Sequence, residues 1–138
     1  MDMHNTAFRQ DLYRYQTTVG ETCATACNIV GRIHEIVADF YEKLATSDIP
    51  SPNVMRLQFL GNTILISAEV ILSEPPIMGK ILCRLEQPDG DKPILLKTSY
   101  DFDTLGNING TLGASECTHE LMQRLFAELK DMKCVVRQ

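Results

Sequence analysis

Apolar side chains recur every three or four positions over the first third of the chain, from Phe8 to Leu44. The repeating residues are Phe8, Leu12, Tyr15, Val19, Cys23, Ala26, Val30, Ile33, Val37, Phe40 and Leu44. This spacing is that of one face of an α-helix, and the polar residues between Thr25 and Glu42 fall on the opposite face. The pattern therefore predicts a long amphipathic helix.

The length of this helix is large for a domain of this size. A helix over residues 8–44 would span about 55 Å, whereas a chain of 138 residues folds to a diameter of roughly 37 Å. Either a partner covers the overhanging part of the helix or the helix breaks. A break near Gly20 is favoured, because residues 18–21 have the Thr-x-x-Glu form of a capping box. We expect a short helix over about 7–16 and a longer one over about 19–45.

Apolar and polar residues alternate along the middle of the chain, which is the pattern of antiparallel strands with one buried face. Residues 60–63, Leu-Gly-Asn-Thr, predict a hairpin turn that places Phe59 opposite Ile64. Three further strands are predicted, over about 77–86, 94–102 and 107–112.

The pattern near the end of the chain is that of a second amphipathic helix. Ser115 is a suitable N-cap for it. Its apolar stripe consists of Leu121, Met122, Leu125, Phe126, Leu129 and Met132. The chain, residues 1–138, therefore predicts a single α+β domain with an N-terminal helix, an antiparallel meander of four to five strands and a C-terminal helix. Both helices should pack on the one apolar face of the sheet.

Charge and composition narrow the classes of function. The chain has 13 Lys and Arg against 18 Asp and Glu, a net charge of −5, which argues against nucleic acid as a partner. No apolar run approaches the roughly 20 residues of a membrane span, and the first residues lack the pattern of a signal peptide. Five cysteines, an odd number, favour free thiols in a reducing compartment, so the cytoplasm is the expected location.

Cys23 and Cys27 lie four positions apart, so a helix brings their thiols together. They could share a zinc ion, but His34 is about 10 Å further along the helix axis, which is too far for a third ligand. Both cysteines fall near the middle of the apolar face, which favours packing in the core. No cofactor is predicted, and metal binding by these two thiols stays open.

His34 lies on the same apolar face, where a histidine needs a hydrogen-bond partner. One interpretation is a core histidine that is satisfied by a backbone carbonyl or a tyrosine. The other is a polar group at the base of a small-ligand pocket between the long helix and the sheet. That pocket would be lined by His34, Tyr41, Tyr100 and Phe102.

Cys117 is the residue that best fits a reactive thiol. It lies in the first turn after Ser115, and the unpaired N–H groups of a helix N-terminus lower the pKa of a thiol. His119, two positions away, would not face it as a base. Catalytic motifs such as HExxH and GxSxG are missing from the sequence, so a thiol enzyme is the least favoured function.

Three leucines interrupt the polar face of the predicted sheet, one on each of three strands: Leu65, Leu82 and Leu95. Single exposed leucines need no explanation. Three leucines aligned across adjacent strands would instead form an apolar patch with a charged rim, which is the anatomy of an interface. The register of the later strands does not follow from the sequence, so this alignment is a hypothesis.

The size, acidity and helix–meander–helix order of the chain resemble the small acidic dimeric chaperones of bacterial secretion systems, except that those place a helix between their strands. The resemblance implies a homodimer that binds another protein. We therefore expect a non-enzymatic, homodimeric interaction module that uses either the sheet face or the N-terminal helix. A small-ligand-binding domain is the alternative.

Overall fold

Five strands form one antiparallel sheet in which each strand pairs with its neighbour in sequence. A computed structural model of the chain describes residues 3–72 and 77–134. In chain order, its elements are α1 (Met3–Phe40), β1 (Ala45–Ser51), β2 (Val54–Phe59), β3 (Asn62–Ile71), β4 (Met78–Leu85), β5 (Ile94–Phe102) and α2 (Ala114–Asp131). The predicted α+β fold, with helices before and after an antiparallel meander, is confirmed.

Helix α1 is continuous over 38 residues, so the predicted break near Gly20 is wrong. At 1.5 Å per residue the helix is about 57 Å long. The hydroxyls of Thr17 and Thr18 donate hydrogen bonds to the carbonyls of Tyr13 and Arg14, at 3.0 and 3.2 Å. Thr18 therefore bonds back into the preceding turn, as threonines inside helices do, and does not cap a second helix.

The fifth strand lies at the opposite end of the sheet from the predicted one. β1 begins at the predicted end of the long helix, in a segment for which no strand was predicted, and it includes Pro50. A proline is tolerated there because β1 is an edge strand, where a missing N–H breaks no ladder bond. The predicted strand 107–112 is reduced to single bridges of Ile108 with Phe102 and Leu112.

The hairpin between β2 and β3 turns at Leu60 and Gly61, which have φ angles of 53° and 74°. Positive φ at both central residues is the requirement of a type I′ turn. Phe59 therefore lies opposite Asn62, and not opposite Ile64 as predicted. This shift of two positions keeps every side chain on its predicted face, because side chains alternate with a period of two.

Both helices pack on one face of the sheet, as predicted. α1 lies over β1, β2 and β3, and α2 lies over β5 and against α1. Side chains from both helices and from the sheet are fully buried between the two layers, among them Val30, Ile33, Val37, Ile64, Ile66, Leu121 and Leu125. One continuous core therefore holds the helices and the sheet together.

Helix α2 begins slightly earlier than predicted. Its N-cap is Gly113, whose extended backbone makes no side-chain capping bond, and Ser115 is an exposed residue inside the first turn. The predicted stripe is buried at its centre, at Leu121, Met122, Leu125 and Leu129. Phe126 and Met132 lie at its margin and are 42% and 38% exposed.

Candidate functional site

A single stripe with heptad spacing, the seam, runs along α1. Its members follow at alternating steps of four and three residues: Phe8, Leu12, Tyr15, Val19, Thr22, Ala26, Ile29, Ile33, Ile36 and Phe40. Every seam residue from Thr22 to Ile36 is buried. This part of the seam packs the helix onto the domain.

The seam continues towards the N-terminus on the protruding half of α1, residues 6–21, in which no residue is buried. Val19 and Tyr15 are half-buried, Leu12 is 43% exposed and Phe8 is 66% exposed. Exposure thus rises along the seam as the helix leaves the domain. These four seam residues span about 16 Å. They have the spacing of a packed helix face, but none of them is buried.

The point at which α1 leaves the domain is held by hydrogen bonds to the loop after β5. The hydroxyls of Thr22 and Thr104 lie 2.9 Å apart, and Thr25 donates a 2.6 Å bond to the carbonyl of Thr104. Three hydrogen bonds from Leu105 and Asn107 converge on the carboxylate of Asp103 in the same loop. The bonds from Asn107 and Leu105 hold the pKa of Asp103 below its ordinary value, so this loop carries a fixed negative charge.

A groove of about 790 Å³ lies between the protruding half of α1 and this loop. It is lined by Asp11, Arg14, Tyr15, Thr18, Ile77, Met78, Asp103, Thr104 and Leu105. Two apolar side chains at its domain side are open to solvent, because Met78 is 40% and Leu105 is 87% exposed. Tyr15 belongs both to the seam and to the lining of the groove, so the two surfaces meet at this side chain.

His34 and Tyr41, two residues of the predicted ligand pocket, each have a hydrogen-bond partner. Nδ1 of His34 lies 2.7 Å from the hydroxyl of Ser47 on β1. The hydroxyl of Tyr41 lies 2.8 Å from Nδ1 of His119 on α2. His34 thus has the partner that a satisfied histidine requires, although it is a serine and not the backbone carbonyl or tyrosine that we expected.

Tyr100 and Phe102, the other two residues of the predicted pocket, are 2% and 0% exposed. The Tyr100 hydroxyl donates a 3.2 Å bond to Glu120, and the guanidinium of Arg124 lies 5.1 Å from the centre of its ring. Burial raises the pKa of Tyr100 to about 12. A ligand among these residues would have to displace the existing contacts, so the pocket stays a prediction.

Cys117 is fully buried at the start of α2, and this burial raises the pKa of its thiol to about 12. The lowering that we expected from the helix N-terminus is therefore wrong, because removal of the thiolate from water outweighs the effect of the N–H groups. Its neighbour His119 is engaged by Tyr41 and by the ring of Phe40, 5.6 Å away. Burial also raises the pKa of Cys83 to about 12.

Cys23 is exposed and Cys27 is half-buried, so their predicted place at the middle of the apolar face is wrong. The buried stripe runs through Thr22, Ala26 and Ile29, which turns both cysteines towards its flank. Within residues 3–72 and 77–134, no group of three His, Cys, Asp or Glu side chains is arranged to hold a metal ion.

The three leucines of the predicted patch share the outer face of the sheet but do not form one row. Leu65 and Leu95 both pair with Arg84, which lies between them, whereas Leu82 pairs with Ser67 and Ser99. The guanidinium of Arg84 donates to the carboxylate of Glu69 at 3.1 Å. A salt bridge therefore crosses the face where a continuous leucine row was expected.

β5 is an edge strand, and side chains bind the backbone N–H groups on its free edge. The sequence did not predict these contacts. The carboxylate of Glu128 on α2 accepts hydrogen bonds from the backbone N–H groups of Lys97 and Thr98 and from the Thr98 hydroxyl, the last at 2.7 Å. Asn109 accepts a 2.8 Å bond from the N–H of Asp101. Partial burial opposes the ionisation of Glu128, but these hydrogen bonds prevail and lower its pKa.

The protruding half of α1 was signalled in the sequence, because the predicted helical stripe is longer than the domain is wide. The groove had no such signal, since Leu105 is a lone apolar residue in a turn and reaches the helix only through the tertiary fold. Neither helix, among the residues described, combines the length and the apolar content needed to cross a bilayer. Comparison of the chain with known protein families, characterised proteins and solved structures finds no match. The resemblance to secretion chaperones therefore rests on size, acidity and element order alone.

Proposed function

We propose that this protein is a non-enzymatic module that binds protein partners through the protruding half of α1. One observation carries the proposal: the heptad seam that is buried from Thr22 to Ile36 continues without interruption to Phe8, where it is exposed. Exposed apolar patches of this kind mark interaction sites. The exposed part of the seam is therefore a helix-packing surface that is not covered by any other described part of the chain.

The energetics of helices support this assignment. An isolated helical segment of the length of residues 6–21 is marginal in water, and most helical stability in proteins comes from packing of an apolar face. Phe8 and Leu12 are 66% and 43% exposed. A partner that covers the seam would stabilise the segment and remove these side chains from water at the same time.

Other surfaces of the molecule are less suited to bind a partner. On the edge of β5, Glu128 and Asn109 already accept hydrogen bonds from backbone N–H groups. These N–H groups are therefore not free to pair with an added strand. The edge strand β1 contains Pro50 and an irregular register between Asp48 and Ser51. On the outer face, ion pairs of Arg84 with Glu69 and Lys80 with Asp101 surround the leucines.

The chemistry of the cysteines fits a binding role in a reducing compartment. All five cysteines are free, as expected for the cytoplasm, which is the compartment that this proposal assumes. With a pKa of about 12, the Cys117 thiol is protonated at neutral pH and is a poor nucleophile. These features support a module without a thiol-based reaction.

The small-ligand alternative retains one supporting observation, the groove of about 790 Å³, which is of the size of ligand sites. The ligand would then bind beside Tyr15 and Leu105 and not among His34, Tyr41, Tyr100 and Phe102. Native mass spectrometry of the freshly purified chain tests it. A retained small molecule that Leu105→Asp releases would favour this alternative over protein binding.

The experiment for the proposed function compares three exposed or half-exposed positions that receive the same new charge. Leu12→Glu places a carboxylate on the seam, Gln10→Glu places one on the opposite side of the same helix, and Leu82→Glu places one on the outer face of the sheet. Binding is measured as self-association in analytical ultracentrifugation and as retention of proteins from a cell extract by the immobilised chain. Circular dichroism shows that each variant is folded.

Leu12→Glu should weaken each association tenfold or more, because burial of a leucine contributes about 1.5–3 kcal/mol and tenfold corresponds to about 1.4 kcal/mol. Gln10→Glu and Leu82→Glu should leave binding unchanged. Equal binding by Leu12→Glu and Gln10→Glu would show that the protruding half is not the binding element. Loss of binding in Leu82→Glu alone would assign the interface to the sheet face instead.

A further inference from the structure

We infer that the partner of the protruding half is a second copy of this chain, whose own protruding half lies antiparallel along the seam and enters the groove. The inference rests on the proposed function and names its partner. It follows from three features of the structure: the continuity of the seam, the position of the groove and the charges beside it.

The continuity of the seam excludes parallel pairing of two copies. A helix that lies on the seam at the level of Phe8 to Val19 and runs parallel to α1 would continue to the level of Thr22 and beyond. The seam side of α1 is filled by its own domain at that level, because Thr22, Ala26 and Ile29 are buried there. A parallel partner helix would therefore collide with the domain.

An antiparallel partner limits this overlap to its first helical turn, because only Met3–Asn5 among the described residues of the second copy reach the level of Thr22. With a two-fold axis between Leu12 and Tyr15, Phe8 of one copy lies at the level of Val19 of the other, and Leu12 lies at the level of Tyr15. The two domains are then at opposite ends of the helix pair. The same patch meets itself in both copies, which is the closed arrangement of a two-fold dimer.

The groove gives the end of the second helix a place to pack. Phe8 of the second copy comes to the level of Val19, beside the groove that Thr18 and Leu105 line. Leu105 and Met78, 87% and 40% exposed, then receive an apolar neighbour. Complete burial of the seam and groove side chains would remove at most about 500–600 Å² of each copy from water. The total, just above roughly 1,000 Å², is at the lower limit for a specific interface.

The charges near the axis are self-complementary in this arrangement. Asp11 and Arg14 both line the groove and are exposed. In the antiparallel pair, Asp11 of one copy lies within about 3 Å, along the axis, of the level of Arg14 of the other. The pair occurs twice by symmetry, so each carboxylate lies near the level of a guanidinium of the other copy. The protruding half carries Arg9 and Arg14 against Asp11 and Glu21, and this zero balance lets two copies of an acidic protein approach there.

Sedimentation equilibrium of the full chain over a concentration series tests the partner. We expect a monomer–dimer equilibrium that Leu12→Glu weakens at least tenfold. Leu105→Asp should also weaken the dimer severalfold, because only the antiparallel arrangement covers Leu105. Leu44→Asp is the matched control, since Leu44 is 66% exposed but lies beyond the C-terminal end of α1. Equal effects of Leu105→Asp and Leu44→Asp would overturn the use of the groove.

The orientation is tested with a spin label on Cys23, which is exposed, in a chain with Cys27→Ser and Cys134→Ser. Cys83 and Cys117 are buried and need no replacement. In the antiparallel pair the two Cys23 residues are separated by about 28 Å along the axis, so a distance of roughly 30 Å is expected. Roughly 10–15 Å, the distance for side-by-side parallel helices, would overturn the arrangement.

The outcomes separate this inference from the proposed function. A wild-type chain that remains monomeric, while Leu12→Glu loses a protein that Gln10→Glu retains, overturns the second copy as partner but keeps the protruding half as the binding element. A dimer that is unaffected by Leu12→Glu overturns the second copy as the partner of the protruding half. It overturns the proposed function as well if Leu12→Glu and Gln10→Glu retain the same proteins from the extract. A dimer weakened by Leu12→Glu and by Leu105→Asp, with the long Cys23 distance, supports both.

Discussion

Thr22 and Thr104 are joined by their hydroxyls at 2.9 Å although 82 positions separate them in the sequence. Thr22 uses its own hydrogen in a 2.8 Å bond to the carbonyl of Thr18, so Thr104 is the donor to Thr22. This contact ties the middle of α1 to the loop beyond β5. It sets the direction in which the protruding half leaves the domain.

We expect Thr22→Val to lower the free energy of unfolding by about 1 kcal/mol, because the half-buried Thr104 hydroxyl loses its acceptor. Thr17→Val is the matched control, since the exposed Thr17 hydroxyl bonds only the carbonyl of Tyr13. Urea denaturation measures both. Equal losses in the two variants would mean that the contact with Thr104 contributes nothing.

Glu128→Gln should destabilise the protein by about 1 kcal/mol at neutral pH, because the charged carboxylate receives three hydrogen bonds from Lys97 and Thr98. The pKa of Glu128 is lowered in the folded protein from an ordinary value of 4.5. Its stabilisation is therefore complete above about pH 4.5 and is lost as the pH falls through the lower folded pKa.

The measurement is the difference in free energy of unfolding between the wild type and Glu128→Gln from pH 7 to pH 3. We expect it to be constant near neutrality and to narrow below about pH 4.5. Glu86→Gln, at an exposed position after β4, serves as the control for loss of a carboxylate. A difference that widens in acid would contradict the assignment.

Gly79→Ala should destabilise the fold by about 2–3 kcal/mol. Gly79 pairs with Phe102 across β4 and β5, and an added Cβ would overlap the fully buried ring of Phe102. Gly31→Ala, in α1 with open space around the new methyl group, should instead stabilise by about 0.5–1 kcal/mol. Thermal unfolding measures both changes.

The ring itself supplies a second test of this contact. In a Phe102→Leu background, the smaller side chain leaves room over Gly79, so the added cost of Gly79→Ala should shrink. An undiminished cost would show that the damage comes from the backbone of β4 and not from the overlap with Phe102.

Alkylation should rank the thiols by exposure. At pH 8 iodoacetamide should modify Cys23 first, because it is exposed, while Cys83 and Cys117 should stay unmodified until the protein unfolds. Burial raises the pKa of both of these thiols to about 12, so little thiolate is present. Peptide mass spectrometry after timed quenching measures the order, and modification of Cys117 at the rate of Cys23 would restore it as a candidate nucleophile.

The sequence was sufficient wherever a pattern repeats over several residues. Alternation along β4 correctly placed Ile81, Cys83 and Leu85 in the core, because a strand with one buried face admits only one such pattern. The sequence was insufficient where the position of a segment in the fold decides which structure the segment forms. β1 buries only Ala45, since an edge strand needs little apolar content, and its segment therefore shows no strand pattern.

The candidate site was predicted in part for a similar reason. The surplus length of the α1 stripe follows from periodicity, and so does the place of Phe8 and Leu12 on its apolar face, whereas their exposure follows from the fold. The continuity of the helix does not follow from periodicity, because Thr18 could cap a new helix as well as bond back to the carbonyl of Arg14, as it does. The groove depends on where the loop at Leu105 falls against the helix, which no local pattern encodes.

The strand order bears on how the chain folds. Each strand pairs with the next one in sequence, so the sheet closes only short loops and can assemble quickly from one hairpin to the next. The buried half of α1 precedes all of these strands, yet it packs on β1, β2, β3 and α2. During synthesis this half of α1 cannot pack until those later elements have been synthesised. The apolar face that carries Val30, Ile33 and Val37 is therefore exposed to solvent during this period.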